Sequence, residues 1–194
     1  MSAFFSSLGR TIIAGFVVLI VIVLAASGLT DGAVRSSDVF IMRWLHVMSG
    51  VMWIGLLWYF NFVQMPSMPK IPDEQKPAVS KVIAPSALFW FRWAALATVV
   101  TGLGLAGMNH YLVQALMLTK GVHAIGIGMW IALIMAFNVW FIIWPNQKKA
   151  LGIVTVPAEE KAAAAKLAGM TSRINTMLSI PMLFCMVAQQ HGGL

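Results

Sequence analysis

Five stretches of this sequence contain no Asp, Glu, Lys or Arg, and each is long enough to cross a lipid bilayer. They cover residues 11–30, 44–69, 93–119, 121–147 and 174–194. A helix that spans the hydrocarbon core needs about 20 apolar residues, and every backbone group in lipid must be paired internally. Only 10% of the 194 residues are charged, far fewer than in soluble domains. The sequence therefore predicts an all-α membrane protein, with one integral membrane domain over residues 1–194.

Five transmembrane helices are predicted inside these stretches. Their boundaries are roughly 11–29, 41–63, 87–108, 122–144 and 173–190. Long loops near 64–86 and 145–172 follow helices 2 and 4, and the run EEKAAAAKLAG at 159–169 predicts a short surface helix in the second loop. Residues 1–30 have the basic flank of a signal peptide, but their apolar run is longer than a typical one. We interpret this segment as a retained first helix.

The basic residues predict the orientation of the helices. If successive helices alternate in direction, ten of the 13 Lys and Arg residues fall on the side of the N-terminus, and three, Arg35, Arg43 and Lys120, fall on the other. Loops rich in Lys and Arg stay in the cytoplasm. We therefore expect a cytoplasmic N-terminus and a C-terminus on the outer, periplasmic side of the membrane. The net charge of +7 is then explained by the loops, and no nucleic-acid partner is expected.

Helices 2 and 4 repeat one sequence without a gap. LHVMSGVMWIGLLWYFNF at 45–62 aligns with VHAIGIGMWIALIMAFNV at 122–139 at an offset of 77. This alignment pairs His46 with His123 and Asn61 with Asn138. Chance similarity between two apolar helices is the alternative explanation.

Helices 3 and 5 repeat more weakly, at an offset of 81. Arg92 and His110 are eighteen residues apart, and so are Arg173 and His191. Two helix-loop-helix repeats, over about 41–110 and 122–191, predict a pseudo-two-fold four-helix bundle of helices 2–5, with helix 1 at its edge.

Four histidines are predicted at the periplasmic ends of the four bundle helices. They are His46, His110, His123 and His191. Ionisable residues inside membrane spans are candidates for functional sites, although histidines also collect at interfaces as amphipathic side chains. Neutral imidazole binds haem iron, copper or zinc, and facing bundle helices commonly hold such groups.

Small residues beside two of these histidines favour a flat macrocycle as the bound group. Gly50 follows His46 by four residues, and Gly126 follows His123 by three, so each glycine shares a helix face with a histidine. Bare backbone allows close approach of a ligand, although glycine is also common where membrane helices pack. We predict one or two haem b groups. The preferred iron-ligating pair is His46 with His123, and the second pair is His110 with His191.

Other polar residues fall into two groups at opposite ends of the predicted bundle. Arg43 and Lys120 lie on the periplasmic side, where they are candidates for haem propionate contacts or are plain loop charges. The cytoplasmic-side group consists of Asn61, Asn138, Arg92 and Arg173. We expect the two asparagines to hydrogen-bond to each other across the two-fold axis. The two arginines are interfacial anchors or contacts for an anion. The alternative is that these residues line a pocket for a quinone or a substrate.

Several stretches resemble a known family. They are MRWLHVMSGVMWIGLLWYFNFVQMP (42–66), LFWFRWAALATVVTG (88–102), FNVWFIIWPNQKK (137–149) and RINTMLSIPMLFCMVAQQH (173–191). Together they are similar to the membrane domain of bacterial membrane-bound urate hydroxylases, the urate oxidase N-terminal family, over nearly all of residues 40–191. The resemblance implies an inner-membrane bundle that gives electrons to a periplasmic c-type cytochrome. Because this sequence has no C-x-x-C-H motif, a separate cytochrome would take that role.

Three functions follow from these observations. The first is a b-type-cytochrome-like redox protein that passes electrons between a donor or quinone and a periplasmic cytochrome c. The second is a cofactor-free transmembrane subunit of a larger respiratory or oxidase complex, with other membrane subunits or further copies of the chain as partners. The third is a urate-oxidising enzyme. No soluble-enzyme motif is found in the sequence.

Overall fold

A computed structural model of the chain describes residues 7–29 and 38–191. Contacts divide the chain into two units, Met1–Asp38 and Val39–Leu194. The first unit contains helix α1, Leu8–Leu29, a continuous apolar helix without a proline.

The rest of the described chain forms four long helices and one short helix. They are α2 (Asp38–Lys70), α3 (Lys76–Met108), α4 (Leu112–Leu116), α5 (His123–Ala150) and α6 (Ala158–His191). Residues 7–29 and 38–191 contain no β-strand. The predicted all-α membrane fold is confirmed, since α1, α2, α3 and α5 are long and apolar enough to cross a membrane. The predicted fifth span lies in α6, where polar residues such as Asn175 and Ser179 are buried within the protein.

The long helices extend beyond the predicted boundaries. The predicted loop near 64–86 is wrong for most of its length, because only residues 71–75 separate α2 from α3. Only residues 151–157 separate α5 from α6, and the run at 159–169 is the start of α6 rather than a separate surface helix. Ala, Lys, Leu and Glu are strong helix formers, and two acidic residues in the first turn of α6 favour its N-terminus.

Three of the prolines inside these long helices share one local structure. They are Pro66, Pro85 and Pro145, and each follows a π-helical segment: Tyr59–Gln64, Val79–Ile83 and Asn138–Ile143. In each case the residue before the proline donates its N–H to the carbonyl five residues back. Proline lacks an N–H and collides with the preceding turn of an α-helix, and the wider π turn accommodates it. Helices α2, α3 and α5 therefore continue through these prolines, beyond the predicted boundaries.

Helices α2 and α3 run in opposite directions, and so do α5 and α6. A side-chain hydrogen bond joins the start of α2 to the end of α3, through His46 and Thr98, and another joins the start of α5 to the end of α6, through Ile125 and Gln189. We call this end of the bundle the histidine end. The main core lies further along the helices, and its fully buried members include Trp53, Leu57, Phe91, Ala95 and Met135.

Candidate functional site

A cavity of about 600 Å³ opens at the histidine end among α2, α3, α5 and α6. Its volume lies in the range of small-molecule and cofactor sites. The walls are mostly apolar. The polar or charged side chains that line it are Arg43, His46, Thr98, Tyr111, Gln190 and His191. No Asp or Glu lines this cavity, so its charged lining is cationic.

His46 is held by two oxygen atoms of α3. Its Nδ1 atom lies 3.0 Å from the backbone oxygen of Thr98 and 3.3 Å from Oγ1 of Thr101. The Thr98 carbonyl can only accept, and the Thr101 hydroxyl donates to the carbonyl of Ala97 at 2.6 Å. Nδ1 therefore carries the proton, and Nε2 keeps its lone pair. Histidines that bind metals usually have this arrangement, with the second ring nitrogen donating to a carbonyl.

Gly102 provides the space for the His46 ring. An ideal Cβ on Gly102 would lie 2.8 Å from Cε1 of His46 and 3.1 Å from Nδ1. Any side chain at this position would therefore displace the imidazole from Thr98. The backbone of α3 accepts the hydrogen bond from Nδ1 and leaves room for the ring. Both contacts fix the orientation of the His46 side chain.

Two nitrogen atoms of the cavity lining are buried and have no hydrogen-bond partner among the described residues. They are Nε1 of Trp53 and Nε of Arg43. A buried donor without an acceptor is unfavourable, and nearly all such groups in proteins are paired. Trp53 is fully buried. Both donors are enclosed by the protein, since neither nitrogen is accessible to a water-sized molecule.

Tyr111 lies near Arg43 at the mouth of the cavity, between α3 and α5. Burial raises the pKa of its phenol, and the positive charge of Arg43 opposes this rise. The hydroxyl group therefore stays protonated in the physiological range and is a hydrogen-bond donor at the mouth.

The structure brings together two of the four predicted histidines. His46 and His191, the latter exposed at the end of α6, both line the cavity. His123, the first residue of α5, does not line it, and neither does His110, an exposed turn residue with a φ of 60°. The two preferred sequence pairings, His46 with His123 and His110 with His191, are therefore not the pair that shares this cavity.

The two repeats differ at the residues that hold His46. At the offset of 81, the counterparts of Thr98, Thr101 and Gly102 are Ser179, Met182 and Leu183. The contacts of the second repeat also have a different register, because Ile125 N–H donates to Oε1 of Gln189 and a Cβ on Gly128 would meet Cβ of Cys185. Helix α5 therefore does not pack on α6 as α2 packs on α3, and the counterparts of Thr98 and Gly102 do not lie against His123.

The two predicted glycines also differ. Gly50 lines the cavity, and an ideal Cβ there would lie 3.9 Å from Cγ2 of Thr98. Gly126 does not line the cavity. It packs against the backbone carbonyl of Ala115 in α4, which a Cβ would overlap. Gly126 therefore allows close packing of α4 on α5, and its predicted role beside a cofactor is not supported.

The asparagines lie among buried polar residues toward the opposite end of the bundle. Nδ2 of Asn138 donates to Oδ1 of Asn175 at 2.8 Å, and Nδ2 of Asn175 donates to the carbonyl of Met135 at 2.9 Å. Nδ2 of Asn61 donates to Oγ of Ser172 at 2.8 Å. Both sequence-predicted asparagines thus bond to α6, rather than to each other across an axis.

The remaining predicted cations lie outside the cavity. Cζ of Arg92 lies 3.7 Å from the ring centroid of Trp144, which is a cation–π contact. Arg173 and Lys120 are exposed, and neither lines the cavity. Of the predicted anion contacts, only Arg43 is at the site.

Sequence reasoning missed three residues of the site: Thr98, Gly102 and Tyr111. The contribution of α3 had no visible signal, because an apolar sequence does not show which backbone carbonyl or which glycine a neighbouring helix will contact. Within residues 7–29 and 38–191, no group of three or more His, Cys, Asp or Glu side chains could hold a metal ion.

These features define an all-α membrane protein with a histidine-lined apolar cavity at one end of a helical bundle. The family model described as "Urate oxidase N-terminal" matches residues 118–194, which cover α5 and α6. The match confirms the family resemblance over the second repeat. No curated protein and no solved structure matches the chain significantly.

Proposed function

We propose that the protein is a b-type-cytochrome-like redox protein of the bacterial inner membrane, in which His46 and His191 hold one haem b. The main supporting observation is His46 itself. Its Nδ1 proton is bound by Thr98, its Nε2 lone pair is left for a ligand, and its ring lines a large apolar cavity. Electrons would pass from a quinol or another donor to a periplasmic cytochrome c.

The residues of the cavity fit a haem in three respects. The macrocycle supplies the equatorial iron ligands, so two histidines suffice where a bare metal ion needs a larger cluster. The walls are largely apolar, as a macrocycle requires. The Arg43 guanidinium and the Tyr111 hydroxyl line the cavity and would supply donors for propionates, and no Asp or Glu lines it.

The choice of His191 changes the sequence-based pairing. His191 shares the cavity with His46, whereas His123 and His110 do not line it, so we propose one haem rather than two. With two histidine ligands the iron has no open position, which favours electron transfer over oxygen activation. The positive-inside count supports the placement of this site on the periplasmic side.

The experiment is a reduced-minus-oxidised visible spectrum of the purified protein, with haem quantified per chain. We expect a low-spin b-type spectrum and one haem per chain in the wild type. His46→Ala and His191→Ala should lose the haem or its low-spin spectrum, and His123→Ala, the matched control, should retain both. A colourless protein without bound metal would overturn the proposal and would favour a cofactor-free subunit of a larger complex.

The family match favours urate oxidation as a second candidate function. The assay is urate turnover by the purified chain with added cytochrome c. Turnover that depends on His46 would combine both candidates in one enzyme. Haem binding without turnover would leave electron transfer as the function, with another protein acting on the substrate.

A further inference from the structure

We propose that the protein binds one anionic phospholipid at the end of the bundle opposite the histidine end, with Lys81 and Lys161 holding the phosphate of its head group. The site is a pocket of about 190 Å³ between the start of α3 and the residues that follow α5. Its lining consists of Ser80, Lys81, Pro85, Leu151, Gly152 and Ile153. It shares no residue with the cavity at the histidine end, so this proposal does not depend on the haem.

The first argument is the position of two ammonium groups. Lys81 of α3 lines the pocket. Gly152, another lining residue, has a φ of 76° and no side chain, and Nζ of Lys161 lies 3.9 Å from the place of its missing Cβ. No Asp or Glu lines the pocket. Helices α3 and α6 therefore each bring a lysine to a site without acidic residues, and lysine is a common ligand of phosphate.

The second argument is the charge of these two lysines. Two other lysines at this end of the bundle pair with acidic residues, Lys76 with Asp73 and Lys149 with Glu160. Neither Lys81 nor Lys161 forms an ion pair with a residue of the described chain. Their positive charges repel each other, and an anion held between them changes this repulsion into attraction.

The third argument is the level of the pocket in the membrane. Lys81 precedes Met108, the last residue of α3, by 27 residues, and Lys161 precedes His191, the last residue of α6, by 30. These separations correspond to about 40 and 45 Å along the helices. A bilayer with its head groups is about 40–45 Å thick. Both lysines therefore lie at the level of the lipid head groups when the other ends of α3 and α6 lie at the opposite surface.

The fourth argument is the apolar surface around the two charges. Leu151 and Ile153 line the pocket, and its volume is smaller than that of sites that enclose a whole drug-sized ligand. The neighbouring side chains of Val82, Ile83 and Val154 are exposed. A soluble anion would leave this apolar surface uncovered, whereas the glycerol and acyl chains of a phospholipid would cover it. The pocket therefore fits a head group whose chains extend over the surface outside.

The test titrates the purified full-length protein in detergent with dioleoyl phosphatidylglycerol, and native mass spectrometry gives the dissociation constant of the first bound lipid. We expect the wild type to prefer this lipid to dioleoyl phosphatidylcholine, whose choline cation offsets the phosphate. Lys81→Gln and Lys161→Gln should each weaken binding of phosphatidylglycerol about fivefold, and both together about 25-fold, as expected for lysines at a membrane surface. Binding of phosphatidylcholine should not change.

The matched control is the double variant Lys70→Gln/Lys166→Gln. It removes the same charge from the same end of the bundle, through two exposed lysines that do not line the pocket. It should keep the affinity for phosphatidylglycerol within about twofold of the wild type, since exposed charges are screened by salt. Equal losses in the two double variants would overturn the proposal, because the attraction would then depend on net charge alone. Unchanged affinity in Lys81→Gln/Lys161→Gln would also overturn it.

Two competitors identify the source of the bound phosphate. Inorganic phosphate and dioleoylglycerol, which has the same chains and no phosphate, should both fail to displace phosphatidylglycerol. Displacement by inorganic phosphate would identify a site for a soluble anion, and displacement by dioleoylglycerol would identify a purely apolar groove. Either result would overturn the proposal.

The variant Lys81→Arg/Lys161→Arg separates loss of charge from failure to fold. It keeps both charges, so it should bind phosphatidylglycerol as the wild type does and have the same melting curve. Loss of binding in this variant, with an unchanged melting curve, would overturn the role of the two charges.

Discussion

Gly102 of α3 lies against the imidazole of His46 of α2, so closely that an added Cβ would come within 2.8 Å of Cε1. The ring is therefore held between an acceptor, the Thr98 carbonyl, and a position with no side chain. This relationship couples the proposed iron ligand to the packing of two helices.

Gly102→Ala should lower the haem content of the protein and weaken the bands of the low-spin spectrum, because the new methyl group displaces His46 from Thr98. Gly104→Ala is the matched control. Its Cβ would meet only Cε and Sδ of Met42 at 3.7 Å, which is ordinary contact with a flexible side chain. Haem per chain and the visible spectrum of both variants check this prediction. Equal losses in both would mean that α3 tolerates no added methyl group, rather than that Gly102 seats His46.

Asn175→Ala should destabilise the bundle by about 1–3 kcal/mol, because it leaves Asn138 without its acceptor and opens a small cavity. Asn175 is fully buried and bonds to two groups of α5. Asn146→Ala is the control, since the Asn146 amide donates only to the carbonyl of Ile142 in its own helix. Thermal unfolding in detergent measures the difference. A similar small effect for both would contradict a structural role for the α5–α6 bonds.

Gly126→Ala should also destabilise the protein, by about 1–3 kcal/mol, because its Cβ would collide with the rigid backbone carbonyl of Ala115. Gly107→Ala meets nothing within 4 Å, and should be neutral or stabilise α3 by up to about 1 kcal/mol, through helix propensity. Melting temperatures of the two variants should therefore move in different directions. An unchanged melting temperature in Gly126→Ala would mean that α4 can move away from α5 without a loss of stability.

Tyr111 should ionise at a higher pH than an ordinary tyrosine, since burial raises its pKa. Stability linked to this group is complete below the pKa of an unfolded tyrosine, about 10, and decreases as the pH rises above it, because the folded state resists ionisation. Phenolate absorbance measured against pH should show a component that titrates at high pH and is absent in Tyr111→Phe. Arg43→Gln should move this component to still higher pH, because the positive charge of Arg43 lowers the pKa. A shift to lower pH would contradict the placement of Arg43 beside the phenol.

The sequence predicts the class of fold because the bilayer imposes simple rules on length and charge. The five long helices of the described residues follow, at approximately the right positions, from stretches without charge, and the histidine end follows from alternating helix directions. The helix boundaries do not follow, because a π turn before Pro66, Pro85 or Pro145 allows a helix to continue.

The site is predictable only in part, for a related reason. His46 and His191 are visible as intramembrane histidines, and Arg43 as a cation on the same side. The choice among the four histidines depends on how the helices of each repeat pack, because Gly102 and Thr98 of α3 hold His46, whereas Gln189 of α6 lies at the start of α5. Repeat symmetry predicted the pairs His46 with His123 and His110 with His191, and the different packing register of the second repeat is not visible in the sequence.

Helix α6 has 34 residues, which correspond to about 51 Å, whereas the hydrocarbon core is about 30 Å thick. The first turns of α6 therefore lie about 20 Å farther from His191 than a hydrocarbon core is thick, and there Glu160 pairs with Lys149 at 2.7 Å. Pro181 lies inside this helix, between its two ends, and removes one backbone hydrogen bond. The helix thus joins a cavity residue at one end to an ion pair at the other through a position where a helix can bend.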